Sequence, residues 1–124
     1  MVILAQLVDD IVINKTEIPS EGLTIGRAAS NDIRLDDPSV SQKHAKIEVK
    51  ETKDGTILYF LQDLKSTNHT FVNGKEINEA VMTDGDVIVI GMMNFKFIND
   101  DEDALAKTKV FKKSWIPGMM YLED

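Results

Sequence analysis

The sequence predicts an all-β fold, an antiparallel sandwich of short strands, and three observations carry that prediction. Apolar and polar residues alternate along several short runs, as they do on strands with one wet face. Turn-forming residues interrupt the runs at short intervals. No helical periodicity of useful length occurs before residue 100.

The elements follow in order. Leu23-Thr24-Ile25 is an apolar run that ends at Gly26-Arg27. Ile33 and Leu35 flank Arg34 as a half-buried strand. Ala45, Ile47 and Val49 alternate with Lys46, Glu48 and Lys50, and Met93, Phe95 and Phe97 alternate with Asn94 and Lys96. Ile57 to Leu61 and Val87 to Ile90 are apolar on both faces and are expected to be central strands. Lys53-Asp54-Gly55 and Asp84-Gly85-Asp86 read as turns, and Asn73-Gly74 as a two-residue hairpin needing positive φ.

The 124 residues suffice for one domain with its own core. Fourteen basic against twenty-one acidic residues leave a net charge of −7, a field that repels nucleic acid and anionic membrane. With no cysteine, disulfides and thiolate metal sites are excluded, and a reducing compartment suits the chain. The apolar start, Met1 to Val8, lacks a basic leader and meets Asp9-Asp10 too early for a membrane span. We expect a soluble, cytoplasmic protein.

The expected domain covers residues 1–99, and 100–124 form a C-terminal extension of different character. Asp100 to Asp103 is an acidic linker, and Ala104 to Lys113 suits a short helix with an acidic start and a lysine-rich end. Trp115 to Leu122 is too apolar to stay in water. This tail either folds back on the sandwich or docks another chain, including a second copy in self-association.

Three segments at strand–loop boundaries carry the chemistry: Gly26-Arg27, Ser41-Gln42-Lys43-His44 and Thr67-Asn68-His69-Thr70. They supply a fixed cation, hydroxyls and a side-chain amide. Phosphorylated side chains carry about −1.5 to −2 charges and three acceptor oxygens, which suit guanidinium and hydroxyl donors. An extended peptide beside such a group needs an amide that both donates and accepts. Reading Ser41 and His44 as nucleophile and base fails, because no orienting acid or oxyanion hole accompanies them.

Together with Ser66 to Gly74, and with Asp84-Gly85-Asp86 followed by Val87 to Gly91, these segments resemble the forkhead-associated (FHA) domain over residues 1–99. The resemblance implies a phosphothreonine-peptide-binding module in Ser/Thr kinase signalling, not an enzyme, with no cofactor and no metal. Its partner would be a phosphothreonine-containing kinase substrate rather than nucleic acid or membrane. By position, Arg27, Ser41 and Thr67 match the phosphate-binding residues, and Asn68 and Gln42 match those facing the peptide backbone. Gly26, His44 and Asn73 match residues that shape the loops. Lys43 and Lys65 would add local positive charge.

Three positions depart from the family pattern. Gln42 stands where arginine or asparagine is frequent, His69 replaces a glycine, and Ser39 replaces an arginine that some members use to read an acidic residue. A histidine at position 69 is strained if the backbone there needs positive φ. The alternative is an assembly subunit with the same fold that binds its partner through the apolar tail without phosphate. Thr16 and Thr108 are candidate phosphorylation sites for binding in cis or in trans.

Overall fold

The computed structural model describes residues 1–100. The acidic run past Asp100, the helix expected over 104–113, Thr108 and the apolar stretch 115–122 lie outside the described residues.

Eleven strands form two layers: β1 (Val2–Val8), β2 (Ile11–Glu17), β3 (Leu23–Gly26), β4 (Ile33–Arg34), β5 (Ala45–Glu51), β6 (Ile57–Asp63), β7 (Thr70–Val72), β8 (Lys75–Ile77), β9 (Glu79–Val81), β10 (Val87–Ile90) and β11 (Met93–Asn99). The first sheet has the order β2-β1-β11-β10-β7-β8 and the second β4-β3-β5-β6-β9. The sandwich is all-β, as the alternation predicts. Among the described residues its one departure from antiparallel pairing is β3 with β4. There β4 holds only Ile33 and Arg34; Leu35 leaves the strand but stays buried, its amide donating to Gly26 O at 2.9 Å.

The alternating residues meet between the layers. Leu4, Ile88, Ile90, Phe95 and Phe97 of the first sheet pack against Leu23, Ile25, Ala45, Ile47 and Leu61 of the second. Each large apolar side chain so buried contributes about 1.5–3 kcal/mol. Tyr59 and Phe97 lock the layers further, with tilted rings whose centroids lie 5.5 Å apart. As expected, β6 and β10 are central in their sheets. Their outward residues are only partly covered, however, and Ile57 and Val87 remain exposed.

Local chemistry sets the turns. Asn73 (φ 52°) and Gly74 (φ 85°) close the β7–β8 hairpin, the positive pair that such a turn requires. Asp9 and Asp10 close β1–β2 in the same way, with φ of 52° and 66°. In β2 the register steps from Gln6↔Asn14 to Leu7↔Val12, so Ile13 is an unpaired bulge on an edge strand. Bulges of this kind blunt a free edge against strand addition.

The β3–β4, β4–β5 and β6–β7 loops gather at one end of the sandwich, together with the Gly91-Met92 turn between β10 and β11.

Candidate functional site

Position 26 is where the site begins. A Cβ there would lie 2.3 Å from Gln42 O and 2.7 Å from Asn31 Nδ2, so only glycine lets the 41–44 segment close over β3. Two backbone bonds then join the segments: Arg27 N donates to Ser41 O at 2.9 Å and Ala28 N to Gln42 O at 3.2 Å. The Arg27 guanidinium is pinned through Nε, which donates to Val40 O at 3.0 Å. Among the described residues its two terminal nitrogens have no partner and no carboxylate pairs with it.

His44 is fully buried and ties two loops together. Its Nδ1 accepts the Ser41 amide at 3.1 Å, which assigns the ring proton to Nε2. Nε2 then donates to His69 O at 2.8 Å. Both ring nitrogens are thus spent on backbone, and neither is left to take a proton from the Ser41 hydroxyl. Ser41 Oγ instead accepts the Thr67 amide at 3.0 Å. That bond uses the oxygen and leaves the hydroxyl proton free to donate to a ligand.

Exposed Thr67 and Asn68 follow on the third loop. Asn68 Nδ2 donates to Ser39 O at 2.8 Å, which fixes the amide and leaves Oδ1 and the second N–H for a partner. Gln42 is exposed at the same end; its carbonyl is held by Asn31, while its side chain has no partner among the described residues. Lys43 and Lys65 are exposed nearby. His69 adopts φ 65°, the conformation that makes a histidine there strained, and its Nδ1 lies 3.4 Å from the Glu76 carboxylate. Asn73 stands apart from this group. At the far end of β7 its side chain donates to Asp86 at 2.9 Å and accepts from Val87 N at 2.9 Å, a brace between hairpins.

Three residues that the sequence does not single out as site-builders hold the loops. Asn31 Nδ2 donates to Ala28 O (2.9 Å) and Gln42 O (2.8 Å), and the only signal for it is that asparagine favours turns. Ser39 Oγ donates to Asp37 at 2.6 Å and accepts from Met92 N at 2.9 Å. Hydrogen bonds from the Ser39 hydroxyl and amide hold the Asp37 carboxyl below the usual range. A Cβ on Gly91 would lie 2.7 Å from Ser39 O, so that turn also needs its glycine.

Asp63 underpins the β6–β7 loop. Burial pushes its carboxyl up, but bonds from the Ser66 hydroxyl, the Thr70 hydroxyl (2.7 Å) and the Ser66 amide (3.1 Å) outweigh it, and the net direction is down. A carboxyl lowered in the folded state stabilises it above the unfolded value, near 3.8, and loses that contribution as pH falls through the lower folded value. Hence the gap in urea midpoint between the unaltered protein and Asp63→Asn is expected to be widest above the unfolded value of 3.8 and to narrow as pH falls below it. A gap that is independent of pH would contradict this.

What converges at this end is a free guanidinium, a free hydroxyl proton, a fixed amide and further exposed donors on rigid supports. The set suits a doubly charged, tetrahedral anion flanked by extended backbone. Among the described residues no cluster of metal-ligating side chains occurs. Nor among them is any helix long and apolar enough to cross a membrane.

Known proteins place this arrangement. The model of the FHA domain matches residues 23–91. The ABC transporter ATP-binding/permease protein Rv1747 of Mycobacterium tuberculosis is 36% identical over 98 residues, covering 76% of this chain and 11% of that protein. The oxoglutarate dehydrogenase inhibitor of Corynebacterium jeikeium is 36% identical over 87 residues, 70% of this chain and 57% of that one. This chain therefore spans less than two thirds of either relative. Among solved structures, one studied for phosphothreonine-dependent FHA domain interactions superposes with a TM-score of 0.69 at 30% identity, covering 81% of this chain and 97% of that chain. The FhaA FHA domain, solved in complex with the intracellular domain of Rv3910, gives 0.66 at 31% identity, covering 78% and 99%.

Proposed function

Because the chain belongs to the FHA domain family, we propose that its loop end binds phosphothreonine peptides and that the protein is an interaction module in Ser/Thr kinase signalling. The observation that carries this reading is the Ser41 hydroxyl. Its oxygen accepts the Thr67 amide while its proton stays free, and the guanidinium of Arg27, tethered to the neighbouring Val40 O, has no counter-ion among the described residues. A relative studied for phosphothreonine-dependent interactions, with 97% of its chain covered, supports the same reading.

In this reading Arg27, Ser41 and Thr67 hold the phosphate, and Asn68 and Gln42 hold the peptide backbone on either side. Gly26, His44 and Asn73 shape the supports. The partner is a kinase substrate, the setting cytoplasmic, and the role non-enzymatic. Residues 1–99 form the binding domain, and 100–124 are its extension.

Titration of threonine peptides in phosphorylated and unphosphorylated form tests the proposal. Binding is expected for the phosphorylated peptide, lost without the phosphate and weaker for phosphoserine. One methyl in an apolar pocket is worth about 1–3 kcal/mol, a preference of roughly 10- to 200-fold. Equal affinity for the phosphorylated and unphosphorylated peptides would overturn it.

A further inference from the structure

The β1–β2 hairpin ends beside the recognition loops. Leu7 pairs with Asn94, and β11 begins at Met93, so β1 comes level with the Gly91-Met92 turn as it ends. Gln6 Nε2 lies 3.8 Å from Met93 Sδ, a contact that ties the two strands there. The turn is itself joined to the site. Ser39 Oγ accepts Met92 N at 2.9 Å, while Ser39 O accepts Asn68 Nδ2 at 2.8 Å. Through that one serine, Asn68 and Met92 lie within about three residues of extended peptide.

The surface beyond Met92 is apolar. Alternate strand residues share a face, so Val8 follows Leu4 on the side that buries Leu4, and Ile11 pairs with Val8. Yet Val8 is 48% exposed, Ile11 67% and Met92 78%. Three large apolar side chains therefore extend the recognition end as a bare ridge. The unpaired bulge at Ile13 keeps the outer edge from accepting a further strand, which leaves binding here to side chains. At the hairpin tip Asp9 and Asp10 are exposed, and no cation pairs with either among the described residues.

We propose that Met92, Val8 and Ile11 form a docking ridge for one flank of the phosphothreonine partner, a flank with apolar residues followed by lysine or arginine. The apolar residues cover the ridge, and the basic ones reach Asp9 and Asp10. Continuity with Asn68 selects the occupant, because a chain held there has the ridge within a few residues. Charge points the same way. A net charge of −7 repels a phosphopeptide, and a basic flank offsets that repulsion. A second copy would instead bring its own −7 to the ridge. The proposal rests on the phosphate reading.

Fluorescence-anisotropy titration of the full chain tests it with three peptides. One is phosphothreonine among alanines; the others extend it outward by Leu-Ile-Lys-Lys on the amino or the carboxyl side. One of the two extensions should tighten binding at least about tenfold, with a larger gain at low salt. Ile11→Gln with Met92→Gln should remove most of that gain. Asp9→Asn with Asp10→Asn, at positive φ that asparagine accepts, should remove its salt dependence. Val81→Gln, exposed on β9 of the other sheet, should keep the gain. A gain from neither extension, or one that survives Ile11→Gln with Met92→Gln, would overturn the proposal and leave the phosphate reading standing. So would a dimer in sedimentation that those two substitutions dissociate, which assigns the ridge to a second copy. Failure of all three phosphopeptides to bind would overturn the phosphate reading and the ridge with it.

Discussion

Replacing Arg27 by alanine is expected to weaken phosphothreonine-peptide binding at least about tenfold, and Arg27→Lys to recover only part of it. A charge-assisted hydrogen bond is worth about 1.5–3 kcal/mol, and tenfold in affinity corresponds to about 1.4 kcal/mol. Arg27 is prepared for this role, because Nε is already tied to Val40 O and, among the described residues, the terminal nitrogens have no counter-ion. Lysine keeps the charge but loses both the tether and the planar fork. Isothermal titration with one phosphopeptide across the three proteins measures the effect. Undiminished binding by Arg27→Ala would remove the guanidinium from the site.

His44→Ala is expected to damage the fold and the site together. The imidazole is fully buried, with a backbone donor on one nitrogen and a backbone acceptor on the other. Truncation strands the Ser41 N–H and the His69 carbonyl and opens a cavity, at a cost of about 3–5 kcal/mol. Urea denaturation reads this directly. Phosphopeptide affinity, measured well below the melting temperature, should fall as well, although the ring would touch no part of the ligand. A variant with native stability and native affinity would contradict the brace.

The layers were legible because burial alternates as the residues do. Ala45-Ile47-Val49 and Met93-Phe95-Phe97 each carry core side chains on one face only, so period alone identifies the strands. Asn73-Gly74 announced its hairpin for a local reason, the positive φ of both residues. The Ile13 bulge was not legible, since Ile11-Val12-Ile13 is as apolar as a buried strand yet lies exposed on an edge. The strand at Ile33-Arg34 was legible from its alternation, but its parallel pairing with β3 was not.

At the site, Arg27, Ser41, Gln42, Thr67 and Asn68 stood out by type, and the structure brings them to one end. The residues that hold them did not stand out. Ser39 acts through Met92, far along the chain, Asn31 through the Gln42 carbonyl, and Asp63 through Ser66 and Thr70 of its own loop, and no motif marks any of these pairs. Ser39 shows the difference most plainly. By type it reads as a missing arginine, and in space it is a joint.

That joint bears on kinetics. Ser39 binds Asn68 of the β6–β7 loop, Met92 of the β10–β11 turn and Asp37 of its own loop, so three segments from both layers meet at one residue. Segments knotted in this way have little slack to surrender when a ligand arrives, and ordering costs are largely met during folding. Encounter then needs no loop closure before productive contact, and association can run at the pace of docking two preformed surfaces. Differences in affinity among peptides would accordingly be written in how long each one stays.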